Sequence, residues 1–163
     1  MVGNGKNIGN RITMLLTGTF NRSIDEKQRL TIPKDLRAAL REVLEGVFYV
    51  APGTDGSLVI YDETSFLRLA DRLSGASPAQ RDVRAFGRLF YAQARRVALD
   101  KQGRLRVPPE LFDWAGLKGE AVMVGVGDHL ELWESERWGQ YTAERREHYD
   151  ELAESAFGRS QTS

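Results

Sequence analysis

The sequence has no cysteine. That excludes a disulfide framework and any thiolate metal site, and it makes a reducing compartment the natural setting. Histidine is nearly absent too: His129 and His148 are the only two, and they fall on different predicted elements. A metal site needs more ligands than that, so none is expected. No run approaches the roughly 18 apolar residues of a membrane span. The one apolar stretch near the start, Met14-Leu15-Leu16, is too short for a signal-peptide core. A cytoplasmic protein with no membrane partner is therefore expected. Net charge is also missing, because 23 Lys and Arg balance 23 Asp and Glu. That argues against a simple basic nucleic-acid binder. The 163 residues, 41% hydrophobic and 28% charged, suit one compact domain or two small interlocked halves.

What the sequence does have is a repeat. Ile24-Asp25-Glu26-Lys27-Gln28-Arg29-Leu30-Thr31-Ile32-Pro33 returns as Leu99-Asp100-Lys101-Gln102-Gly103-Arg104-Leu105-Arg106-Val107-Pro108, 75 residues on and without a gap. Each copy sets an Asp four residues before an Arg and a Pro four residues after it. Two copies of one supersecondary unit in a short chain imply pseudo-symmetry. The neutral total also hides a gradient. Basic residues gather on both copies (Arg22, Lys27, Arg29, Lys34 and Arg37; then Arg95, Arg96, Lys101, Arg104 and Arg106), while the chain after Glu134 is acidic. If the copies come together, the two clusters form one positive face.

Alternation and turn signals extend the repeat. Strands are predicted over 17–24 and 29–32, joined by a tight turn over 25–28. Pro33 opens a helix carrying Leu36, Ala39, Leu40, Val43 and Leu44, which Gly46 stops. Strands at 48–50 and 58–61 follow as a hairpin. Two helical stripes then form a connector, the second opened by a capping box at Ser77-Pro78-Ala79-Gln80. The second half repeats the order: strands at 94–99 and 104–107, a helix from Pro108 and Pro109, a hairpin over 121–133 about three residues shorter, and a final amphipathic helix. Tyr61 and Phe66 correspond to Trp133 and Trp138. The expected organisation is a flexible leader (1–17), repeat 1 (18–65), a helical connector (66–93), repeat 2 (94–137) and a C-terminal helix and tail (138–163). Met14 is a candidate translation start.

The motif supports more than one role. An Asp at a strand turn accepts backbone N–H groups ahead of it and fixes the turn. Asp25–Arg29 and Asp100–Arg104 can therefore be fold-holding ion pairs. The Arg residues share a polar strand face with Thr31 and Arg106, and the planar guanidinium suits phosphate and guanine recognition. Asp25 and Asp100 can in principle act as an acid–base pair, but no nucleophile or histidine accompanies them. Gly125 to Gly127 lacks the context of a phosphate loop and reads as a hairpin turn. Trp114, Trp133 and Trp138 read as core or subunit-interface residues.

Taken together, Met14-Leu15-Leu16-Thr17-Gly18-Thr19-Phe20, Asp25-x-Lys27-x-Arg29-Leu30 with Ile32-Pro33, and Asp100-x-x-Gly103-Arg104-Leu105 with Val107-Pro108 resemble the MraZ family of bacterial transcriptional regulators. Each unit also resembles the AbrB/SpoVT swapped-hairpin DNA-binding module. The resemblance runs from Met14 to about Leu152; the segment before Met14 has no counterpart in it. It implies an α+β fold: a pseudo-two-fold small β-barrel of two interlocked units with peripheral helices. It implies double-stranded DNA as partner, a ring-shaped homo-oligomer, and no cofactor or catalysis. The implied targets are short direct repeats upstream of the division and cell-wall gene cluster, including the protein's own promoter, and the implied location is cytoplasmic and nucleoid-associated. Carried over, the DNA-binding positions are Arg29 and Arg104, with Lys27 and Lys101 beside them and Arg22 and Arg37 on the flanks. In the second copy Val97 and Phe112 hold the flanking positions, and Arg95, Arg96 and Arg106 are candidate replacements. Asp25 and Asp100 stabilise the turns. Gln28 stands where the family usually has Gly, so a left-handed turn there is strained. The rival reading is an oligomeric interaction scaffold or antitoxin-like module without specific DNA targets. An enzyme lacks a nucleophile–base constellation.

Overall fold

The computed structural model describes residues 15–37 and 47–158. The body of the helix expected after Pro33, its stop at Gly46, Met14 and most of the expected leader lie outside those residues. Leu16, placed in the leader by the sequence, is part of the folded body. It is buried, and its N–H and C=O both bond to Gly127 across an isolated bridge.

Short alternating segments become eight strands: β1 (Thr19–Ser23), β2 (Arg29–Thr31), β3 (Val47–Pro52), β4 (Leu58–Asp62), β5 (Arg95–Ala98), β6 (Arg104–Arg106), β7 (Glu120–Gly125) and β8 (Leu130–Glu134). Five helices accompany them: α1 (Glu63–Ser74), α2 (Arg81–Gln93), α3 (Pro109–Trp114), α4 (Ser135–Arg146) and α5 (Tyr149–Gly158). A further helical turn begins at residues 34–37. Asp62 caps α1 by accepting the Ser65 N–H, and Glu134 caps α4 through the Glu136 and Arg137 N–H groups. The expected capping box at Ser77 does not form. Residues 78–80 make a turn in which Arg84 donates to the Pro78 and Ala79 carbonyls, and α2 starts after Gln80 without a side-chain cap. The single C-terminal helix expected from periodicity is two, broken at Glu147 and His148.

The two repeats interlock. Six strands run antiparallel in the order β1-β7-β8-β4-β3-β5, and β2 pairs with β6 in a separate ribbon. Neither turn joins a laddered hairpin: β1 pairs with β7, β5 with β3, and β2 with β6, so most strand partners come from the opposite half. The registers are nearly two-fold. Leu30 faces Leu105 at the centre of the ribbon, and Val59 faces Glu131 at the centre of the sheet. The second half is indeed shorter, but most of the loss precedes β7; the hairpin loop shrinks only from Gly53–Ser57 to Val126–His129. The implied barrel does not close as a ladder. β1 and β5 are the sheet's edges, because three-residue β2 and β6 pair with each other rather than continuing either edge.

Pleat alternation divides the apolar side chains into two cores. Leu30, Ile32, Leu105 and Val107 beneath the ribbon meet Phe48, Val50, Leu58, Ile60, Met123 and Leu132 from the sheet. On the other face Ala51, Val59 and Tyr61 meet Phe66 of α1 and Phe90 of α2. Tyr49 stacks on Phe66 with ring centroids 4.3 Å apart. The large core fixes the ribbon against the sheet, and the ribbon carries the repeated motif.

Candidate nucleic-acid interface

Each turn is built by its Asp. In the first, Asp25 Oδ1 accepts the Lys27 and Arg29 N–H groups, both at 2.9 Å, and Oδ2 accepts Arg29 Nε–H at 2.8 Å. In the second, Asp100 Oδ1 accepts the Gln102 and Arg104 N–H groups at 2.9 Å, and Oδ2 accepts Arg104 Nε–H at 2.7 Å. The Arg29 N–H holds the Asp25 carboxyl below its ordinary value; partial desolvation opposes it, and the Arg29 guanidinium and Lys27 N–H add to it. Asp100 is held down in the same way by Arg104 and Gln102. An acceptor so fully engaged, and pushed further toward the ionised form, is a poor general base. Both carboxylates hold the backbone of their turns.

The same bonds preset the arginines. Each commits Nε–H to its Asp, and both terminal nitrogens have no partner among the described residues. Alternation along the ribbon sends Leu30 and Leu105 inward and Arg29, Thr31, Arg104 and Arg106 to the other face. Across the strands Arg29 lies opposite Arg106, and Thr31 opposite Arg104. Directly opposed like charges destabilise an antiparallel pair. Arg106 is exposed and has no hydrogen bond or ion pair among the described residues. A face of this kind accepts an external anion.

The other candidates separate into free and engaged groups. The side chains of Lys27, Lys101 and Arg96 are exposed and make no hydrogen bond or ion pair among the described residues. Arg22 is engaged: its Nε donates to Thr31 O at 3.0 Å and Nη1 to Asn21 O, tying β1 to the ribbon. Arg37 reaches the opposite repeat, where Nη1 donates to Gln102 O at 3.3 Å and its guanidinium and Cδ fill the space a Cβ at Gly103 would need. Its Nε is buried and has no hydrogen-bond partner among the described residues. Arg95 bonds the Ala92 and Ala94 carbonyls at the end of α2. Arg22, Arg37 and Arg95 thus each tie down backbone carbonyls of the scaffold. Gly103 has φ 75° and Gln28 has φ 61°, so both turns are left-handed and the strain anticipated at Gln28 is present. Thr31, not singled out as a site residue from sequence, completes the face; its alternation with Arg29 was the available signal.

A family model described as "MraZ protein, putative antitoxin-like" matches residues 15–89 and again 90–160. The chain belongs to the MraZ family. Each matched segment holds one complete Asp-to-Arg turn, so the family unit is the structural repeat. Among curated members, "Transcriptional regulator MraZ" of Limosilactobacillus reuteri is 40% identical over 140 residues, covering 86% of this chain and 96% of that one. The member of that name from Alkaliphilus metalliredigens is 37% identical over 139 residues, 85% and 94% of the two chains. That from Symbiobacterium thermophilum is 39% identical over 137 residues, 84% and 96%. Among the described residues no helix is long and apolar enough to cross a membrane.

Proposed function

We propose that this protein is a sequence-specific DNA-binding transcriptional regulator and that the β2–β6 ribbon is its reading face. One observation carries the proposal: two arginines preset by their own turns share a small face with a third, Arg106, which has no ion pair among the described residues. Terminal guanidinium nitrogens held this way fit phosphate oxygens or the O6/N7 edge of guanine. Lys27 and Lys101 on the turns, and Arg96 on β5, add phosphate contacts. The curated relatives bear the name of transcriptional regulators, which supports the same reading.

Neutral overall charge sets the mode of binding. One face with a few phosphate contacts binds weakly and loses affinity with salt. A ring-shaped homo-oligomer offering many faces to short direct repeats gains through effective concentration. The proposed targets are such repeats upstream of the division and cell-wall gene cluster, the protein's own promoter among them.

The test is a gel shift on the DNA upstream of the protein's own gene at two salt concentrations. Arg29→Ala with Arg104→Ala should abolish the shift and leave the subunit number unchanged. Any residual binding should show a salt dependence flatter by about one unit of slope for each phosphate that no longer meets an arginine. An undiminished shift removes these residues from the interface. Equal binding to repeat and scrambled DNA favours the interaction-scaffold reading.

A further inference from the structure

The ribbon is two-fold in its motif arginines and not in its other outward residues. An axis through the Leu30–Leu105 pair carries Arg29 onto Arg104 and Thr31 onto Arg106. The first exchange matches like with like, and the second does not. One end of the ribbon therefore presents Arg29 beside Arg106, and the other presents Arg104 beside Thr31. Both are close pairs. Ladder bonds fall on the alternate positions, from Val107 N–H to Gln28 O and from Ile32 N–H to Gly103 O, while Arg29 and Arg104 spend their own N–H and C=O groups on Asp25 and Asp100. Opposed residues in such non-hydrogen-bonded pairs bring their side chains nearest. The side chains of Thr31 and Arg106 are exposed and make no hydrogen bond or ion pair among the described residues. Arg22, which reaches the Thr31 end, is committed to the Thr31 and Asn21 carbonyls.

We infer that Thr31 and Arg106 set the direction in which the ribbon lies along a DNA duplex. The inference rests on the DNA-binding reading given above. A face with exact two-fold symmetry reads a sequence equally well after half a turn, so it cannot choose between the two directions. Arg29 and Arg104 are related in that way and are blind to direction. The unlike pair distinguishes the ends. Arg106 adds a second guanidinium to its end, with a fork of donors for base or phosphate oxygens. Thr31 offers one hydroxyl and one methyl, which suit a single hydrogen bond and an apolar contact to a thymine methyl. The turn tips differ as well, with Glu26 and Lys27 standing where the second copy has Lys101 and Gln102. Counted with its turn, each end then carries the same formal charge. Direction is therefore decided by where the donors stand at close contact, not by a stronger pull on one end.

Directed cleavage tests it on the full-length protein. The chain has no cysteine, so Glu26→Cys gives a single attachment point for an iron chelate, on an exposed residue of the first turn. The chelate cuts the DNA nearest to it and so reports direction. The probe is the DNA upstream of the protein's own gene, with protected sites located by footprinting. The labelled protein should cut one flank of each protected site about tenfold more than the other, a ratio that one direct contact supplies. Thr31→Arg with Arg106→Thr, added to the labelled protein, keeps composition and charge and turns the unlike pair by half a turn. Arg22 still meets the carbonyl of residue 31, and both positions are exposed, so the fold should persist by circular dichroism. Cutting should move to the opposite flank. Arg106→Thr alone makes the outward strand residues two-fold and should cut both flanks alike. Even cutting by the labelled protein without these changes overturns the inference and leaves the DNA-binding reading standing. So does cutting that stays on the same flank in either variant. A protein that protects no site overturns both.

Discussion

The two repeats build the same turn in different surroundings. Their Asp-centred hydrogen bonds agree within 0.1 Å. The flanks do not agree. Arg22 braces the first ribbon strand, while Val97 at the matching position packs on the core. Arg37 covers the second turn, while Phe112, its counterpart, joins the core. The second turn meets its positive φ with Gly103, and the first forces Gln28 into the same region. Helix α2 folds back onto the sheet through Phe90, whereas α5 has no fully buried side chain among the described residues. A short polar network can be duplicated intact, and the halves are then free to diverge wherever packing rather than hydrogen bonding fills the space.

Substitution on the pseudo-axis is the severest way to break this comparison. Leu30 and Leu105 face each other and are 1% and 0% exposed. Leu30→Ala and Leu105→Ala should each destabilise by about 2–5 kcal/mol. Urea denaturation should place the two midpoints close together; a wide gap would mean that the halves do not share their core equally.

The turns should respond in opposite directions. Gly103→Ala imposes a left-handed side chain and a clash with the Arg37 guanidinium, so a loss of about 2 kcal/mol is expected. Gln28→Gly relieves the same conformation, offset in part by backbone entropy, and should stabilise by about 1 kcal/mol or less. Thermal melts of both variants measure the pair; destabilisation by Gln28→Gly would show that the Gln28 side chain stabilises the turn by packing.

The smallest effect concerns acid. Asp25 and Asp100 have folded values below their ordinary 3.8. Their contribution is therefore fully present above that value and is lost as pH falls through the lower, folded one. Carboxyl chemical shifts should show both groups titrating below pH 3.8, and together. A split would show that the matching hydrogen bonds conceal different fields.

Much of this was legible from residue order. The eight strands and the inward Leu30 and Leu105 follow from period-two alternation and turn chemistry, which are local, while the strain at Gln28 was signalled only by the family's usual Gly. The Asp-to-Arg pairs were legible for the same reason, since both partners lie four residues apart. The roles of Arg22 and Arg37 were not. As free basic residues they look alike in sequence, and only the fold sets Arg22 on the Thr31 carbonyl and Arg37 on a turn 65 residues away. The break at Glu147 was hidden because apolar spacing continues on both sides of it.

By itself, then, the sequence determined the repeat, the turn that each Asp organises, the family, and which strand residues face inward. Those are matters of short-range hydrogen bonding and periodicity. The tertiary structure alone decided that the strands exchange partners between halves, that Arg29 lies across from Arg106, and that the sheet stays open beside a two-stranded ribbon. Strand pairing joins residues far apart in the chain, and the choice among possible partners is made by which arrangement buries both apolar faces at once.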